Sequence, residues 1–160
     1  MKTLILYATR HGSTAEAARR IAARMPNSDV KNIKTDAFRL ADYDRILIGS
    51  YIRMGMFDRK IRALLLKEIA VLREKIFGIF VCCCFTENAQ TYFQNNVPPQ
   101  LLETVQATAA LGGELDRKKL HGMDKYVANM VLKADHARGI LHTFTLKEEN
   151  IEAFVNKMQM

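Results

Sequence analysis

Short apolar runs recur along the chain, at residues 4–8, 46–49 and 76–84, with few polar side chains inside them. Runs this short and this apolar predict strands buried on both faces, as in a parallel sheet. Between them the apolar positions switch to helical spacing. Residues 14–25 place Ala18, Ile21, Ala22 and Met25 on one side, and Pro26-Asn27 stops the pattern. Asp58 is placed to cap a helix reaching Lys67, with Ile61, Leu64, Leu65 and Glu68 marking its turns. Residues 28–34 read as a weaker strand and 87–95 as a helix that Val97-Pro98-Pro99 breaks. Residues 105–111 read as a further strand ending in Gly112-Gly113. The last helix opens on Thr145-Leu146-Lys147-Glu148, the spacing of a capping box, and carries the stripe Ile151, Phe154, Val155 and Met158.

Strands therefore alternate with helices from end to end. That order implies a doubly wound parallel sheet, five-stranded, with helices on both faces. About thirty residues between Gly113 and the last helix do not fit the simple count. Within them Met123, Tyr126, Val127, Met130 and Val131 follow helical spacing, flanked by Arg117, Lys118, Lys119, Lys125, Lys133 and Arg138. The expectation is a helical insertion at about 116–143 within one domain covering 1–160.

Composition adds bounds. The chain has 160 residues, 49% hydrophobic and 26% charged, which suits one globular domain rather than a disordered one. No apolar run approaches the roughly 20 residues that span a bilayer. The apolar run behind Met1-Lys2-Thr3 is too short for a secretory signal, so the expected location is cytoplasmic. Cys82, Cys83 and Cys84 are contiguous, which suits neither a disulfide framework nor metal ligation. They read as reduced thiols on a buried strand, with Cys84 at its end and within reach of a ligand. No metal site is expected.

The net charge is +7 and uneven. Residues 76–115 hold no Lys or Arg, while 1–75 and 116–138 are basic. Such a balance favours anionic partners, among them phosphates, propionates, acidic proteins and lipid headgroups. No nucleic-acid recognition motif is present.

Ligands of open α/β sheets sit beyond the carboxyl ends of the strands. The first such place is Thr9-Arg10-His11-Gly12-Ser13-Thr14. Gly12 permits close backbone approach, and the helix start offers N–H groups to an anion. Thr9, Ser13 and Thr14 add hydroxyls, and His11 adds charge if protonated. The spacing matches neither the nucleoside triphosphate nor the dinucleotide glycine pattern, so a phosphate monoester fits best. An ordinary capped turn is the competing reading.

This loop, after its apolar strand, resembles the flavodoxin phosphate loop. Together with Ile48-Gly49-x-x-Ile52-Arg53-x-Gly55 it resembles, more narrowly, the flavodoxin-like quinone-linked bacterial protoporphyrinogen IX dehydrogenases, which also carry an insertion before the last helix. The resemblance implies FMN as cofactor, with its phosphate on Thr9, Arg10, His11, Gly12, Ser13 and Thr14. It implies that Ser50, Tyr51, Ile52, Arg53, Met54 and Gly55 line one side of the flavin ring. Cys84, Phe85 and Thr86 would line the other. The implied reaction removes electrons from a porphyrinogen and passes them to a quinone.

The chain departs from electron-shuttling flavodoxins in having no Trp and a basic balance. Arg53 is the candidate catalytic residue, holding a substrate carboxylate or balancing charge on reduced flavin; a plain surface arginine is the alternative. Residues 117–138 either meet anionic membrane at the inner face of the cell membrane, or a porphyrin, or simply cover the sheet. An FMN electron carrier working with a redox protein partner, and a flavin-free binding module, are the competing functions.

Overall fold

The apolar runs become the middle of a five-stranded sheet in the order β2-β1-β3-β4-β5, every pair parallel. The computed structural model describes residues 1–113, 122–139 and 145–160. The strands are β1 (Thr3–Tyr7), β2 (Ser28–Asn32), β3 (Arg45–Tyr51), β4 (Ile76–Cys82) and β5 (Ala107–Ala110). The helices are α1 (Ser13–Ala22), α2 (Arg59–Lys67), α3 (Ile69–Arg73), α4 (Ala89–Asn96), α5 (Pro99–Leu102), α6 (Met123–Ala137) and α7 (Glu148–Gln159). The doubly wound expectation is met.

Alternate residues of the central strands feed two separate cores, as the period of two demands. Ile5, Leu47 and Phe80 face α1 and α7, meeting Ile21, Phe154 and Met158. Leu4, Leu6, Ile46, Ile48 and Ile79 face the opposite layer, meeting Ile61, Leu65, Phe93 and Leu101. Gly49 in β3 is a close-approach position: a Cβ there would lie 2.2 Å from the Phe80 ring. Sheet order reverses between β1 and β3, so the loops leaving these two strands diverge around a crevice at the carboxyl edge.

The Asp58 cap is present, its carboxylate accepting from the Lys60 N–H. The Thr145 capping box is not. Helix α7 begins at Glu148 with Lys147 as N-cap and no side-chain cap bond. The cause is the insertion's return: Leu146 pairs with Gly112 in an antiparallel bridge, and Lys147 N–H donates to Leu111 O at 2.8 Å. That pairing holds Thr145 outside the helix. Glu148 instead receives Arg20 of α1 and Arg24 just beyond that helix. Helix α1 stops at Ala22, short of Met25, although Met25 is buried as its spacing implies. The short helices α3 and α5 are additional; Pro99 starts α5 at the position where a proline is tolerated.

Helix α6 follows the stripe read from the sequence. Arg117, Lys118 and Lys119, and the ends of the 116–143 insertion, lie outside the described residues. Among the described residues no helix is long and apolar enough to cross a membrane.

Candidate functional site

The loop from β1 to α1 turns on Gly12. It is the N-cap of α1 and adopts φ 101°, ψ −16°, a left-handed conformation that favours glycine. Its N–H donates to Thr9 Oγ1 at 3.0 Å, and its carbonyl accepts the first helical bond from Glu16. The N–H groups of the first helical turn have no acceptor inside the helix, and the dipole adds positive potential there. Thr14 sits in that turn, 1% exposed; its Oγ1 is buried with no hydrogen-bond partner of ordinary geometry, the Cys82 thiol, a weak partner, being the polar group beside it. A buried hydroxyl left this way costs about 1–3 kcal/mol. An acceptor entering from the cavity would remove that cost.

The loop from β3 to α2 is a tight hairpin. Arg53 and Met56 exchange both backbone bonds at 3.0 Å, around Met54 at φ 52° and Gly55 at φ 78°. Two positive φ angles in a two-residue loop are those of a type I′ turn, and a methionine there is strained. Two buried polar residues hold the hairpin. Asn96 of α4 accepts from Phe57 N–H at 2.9 Å and donates to the Gly55 and Tyr92 carbonyls. Asp58 accepts from the Tyr51 hydroxyl at 2.8 Å and pairs with Lys34 at 3.1 Å. Burial pushes the Asp58 carboxyl up, but the hydrogen bonds from Tyr51, Lys34 and the Lys60 N–H outweigh it and hold the pKa below the ordinary value. Burial first, then Asp58, pushes the Tyr51 phenol up.

The third element is the end of β4 and the segment after it: the strand stops at Cys82, so Cys83 and the half-buried Cys84 lie beyond the strand that the apolar run to residue 84 predicted. All three cysteines are free thiols. Burial pushes Cys82 and Cys83 up to about 12 and Cys84 up to about 11, so they are neutral at physiological pH. A thiol this poorly ionised is a soft apolar wall, not a nucleophile.

These elements enclose a cavity of about 310 Å³. Its wall contains Thr9, Arg10, His11, Ser13 and Thr14 from the first loop, and residues 51–55 from the second. Cys84 and Phe85 line it from the third, and Val127, Ala128 and Val131 of α6 close it. Most sequence candidates therefore converge. Three do not reach the wall: Gly12 turns the loop without lining the cavity, Ser50 is buried behind it, bonding Tyr51 O and the Asp58 N–H, and Thr86 accepts from Lys147 Nζ at 3.2 Å. Cys82, Cys83, Tyr92 and Gly113 line the cavity and were not among the candidates. The supports Asn96 and Lys34 were also missed, because nothing local distinguishes them from other polar residues. The spacing of α6 was visible, but not which side of it faces the cavity.

A sequence model of the flavodoxin domain family matches residues 4–139. Protoporphyrinogen IX dehydrogenase [quinone] of Escherichia coli strain K12 is 39% identical over 62 residues. That match covers 36% of this chain and 34% of the enzyme, so it spans about a third of the relative's length. Among solved structures, a flavoprotein in complex with FMN from Lactobacillus acidophilus NCFM superposes with TM-score 0.56 at 20% identity, covering 68% of this chain and 92% of that one. A short-chain flavodoxin associated with a PDU bacterial microcompartment superposes with TM-score 0.58 at 12% identity, covering 99% and 97%. At these identities the superpositions establish the fold alone.

Proposed function

This chain belongs to the flavodoxin domain family, and from that premise we propose that it is an FMN-dependent oxidoreductase. One observation carries the reading. The unpaired, buried Thr14 hydroxyl lies in the first turn of α1, at the sheet's reversal point, on the wall of an apolar cavity. The residues present fit a flavin phosphate monoester. Thr9, Ser13 and Thr14 would hold the phosphate with hydroxyls and N–H groups at the start of α1, on the turn that Gly12 makes, and Arg10 would bring a cation to the same wall, which His11 also lines. Residues 51–55 and Cys84–Phe85 would flank the ring. FMN, when bound, supplies reversible electron uptake and release.

The chain's own residues shape that chemistry. The Asp58 hydrogen bond fixes the Tyr51 ring as a wall. The neutral thiols add no charge. Helix α6 covers the cavity with Val127, Ala128 and Val131, which limits water beside the ring. Arg53, exposed on the hairpin that lines the cavity, suits a carboxylate on an incoming substrate.

The specific reaction in this proposal is dehydrogenation of a porphyrinogen with a quinone as electron acceptor. The short stretch of identity with the E. coli enzyme and the basic balance of the chain support it. Anaerobic protoporphyrinogen with a quinone, followed by porphyrin fluorescence, tests it. Porphyrin formation faster than in the protein-free control is expected, with loss of most of that excess in Arg53→Ala. A rate equal to the control, from protein carrying stoichiometric FMN, would leave an electron carrier without its own substrate.

A further inference from the structure

Helix α6 has two apolar sides with different surroundings. Val127, Ala128 and Val131 line the cavity. Met123, Tyr126 and Met130 remain 61%, 61% and 55% exposed. By helical count these three fall on one stripe, continued by the exposed Ala134 and Ala137. Exposed Lys133 borders that stripe, with Lys125 and His136 beyond it. Asp135 is half-buried and falls by the same count at a position near Ala128 and Val131. The Met54 hairpin also lines the cavity; Met54 is 70% exposed, and Arg53 beside it is exposed.

An apolar stripe bordered by cations and left uncovered needs an occupant with two layers of chemistry, acidic outside and apolar beneath. A bilayer with anionic headgroups has both. Lysine heads stay at the headgroup level while thioethers and a phenol ring enter the acyl boundary. The helix has 15 residues, too few to span, so it would lie in the interface plane. The chain's net charge of +7 has the sign that such a surface attracts. We propose that the outer stripe of α6, with the Met54 hairpin, docks the cavity mouth onto a bilayer carrying anionic lipid. An apolar electron acceptor dissolved in that bilayer would then reach the cavity directly. Only this last consequence rests on the redox reading above; the docking does not.

The test is co-sedimentation of the FMN-loaded full chain with phosphatidylcholine vesicles, with and without phosphatidylglycerol, at low salt. Partition into the acidic vesicles alone is expected. The pairs Tyr126→Ser/Met130→Ser and Lys125→Glu/Lys133→Glu should each weaken partition on the order of tenfold or more. Both should leave the FMN titration and the circular dichroism spectrum unchanged. Lys67 and Arg73 are exposed near the strand amino ends, remote from the cavity. Lys67→Glu/Arg73→Glu carries the same charge change and should leave partition within about twofold. Absence of binding to acidic vesicles would overturn the proposal. So would equal loss in the Lys67/Arg73 pair, which would mean bulk charge alone. So would a dimer, seen by velocity sedimentation without lipid, that Tyr126→Ser/Met130→Ser dissociates. Vesicle binding by a chain that fails to retain FMN would uphold the docking and defeat only the cofactor reading.

Discussion

The Tyr51 hydroxyl donates to Asp58 Oδ2 across 2.8 Å, and the same oxygen pairs with Lys34 Nζ at 3.1 Å. Lys34 also lies 5.3 Å from the centroid of the Tyr51 ring. One carboxylate thus orients a cavity wall, caps α2 and holds a cation from the segment after β2. Its backbone N–H donates to Ser50 Oγ, and that hydroxyl donates to Tyr51 O. The ring is set by a closed polar network, not by packing alone.

Removing the charge of Asp58 should show in the pH dependence of stability. Its folded pKa is depressed, so its contribution is present above the unfolded carboxylate value of about 4 and is lost as pH falls through the folded value. Asp58→Asn should therefore lower the melting temperature at pH 7 and converge on the parent at strongly acidic pH. Thermal unfolding across pH checks this. A difference that stays constant down to pH 2 would contradict the assignment.

Thr14→Val replaces an unpaired buried hydroxyl by a methyl of the same shape. The FMN-free protein should become more stable by about 1 kcal/mol. FMN affinity should fall by roughly tenfold or more, the loss of one hydrogen bond to a charged group. Opposite signs in denaturant melts and flavin titrations are the signature of a ligand-directed group.

Met54 holds φ 52°, a conformation costing roughly 1 kcal/mol for a side chain with a Cβ. Met54→Gly should relieve it and raise the denaturation midpoint, provided the hairpin is retained. A fall in midpoint would show that the thioether packs usefully against the cavity mouth.

Asn96→Ala removes the bonds to Phe57 N–H and Gly55 O that tie the hairpin to α4, and a third to Tyr92 O within α4. The Phe57 N–H would be left buried without a partner. A loss of about 1–3 kcal/mol per group left unsatisfied is expected, with faster amide exchange across residues 53–57.

Much of this molecule was readable from the chain. Leu4, Leu6, Ile46 and Ile48 are fully buried because a parallel strand offers no solvent face, and their unbroken apolarity says so. Asp58 was legible as a cap because one polar residue before an apolar period has a local job. Its contact with Tyr51 and Lys34 was not legible, since that depends on how three separate segments converge. Thr145 misled for the same reason. Its spacing to Glu148 is that of a capping box, but the pairing of Leu146 with Gly112 is nonlocal and took precedence. The phosphate loop could be read because its residues are contiguous. The cavity wall could not be read in full, because Tyr92, Gly113 and Ala128 reach it from elements that share no sequence pattern.

The central claim is that the loop from Thr9 to Thr14 holds the phosphate of FMN. The most direct measurement is the ratio of FMN to riboflavin affinity, by titration of the flavin-free protein with each. If the loop binds the phosphate through helix N–H groups and hydroxyls, FMN should bind on the order of a hundredfold tighter than riboflavin. Equal affinity for the two, or no binding of either, would contradict it.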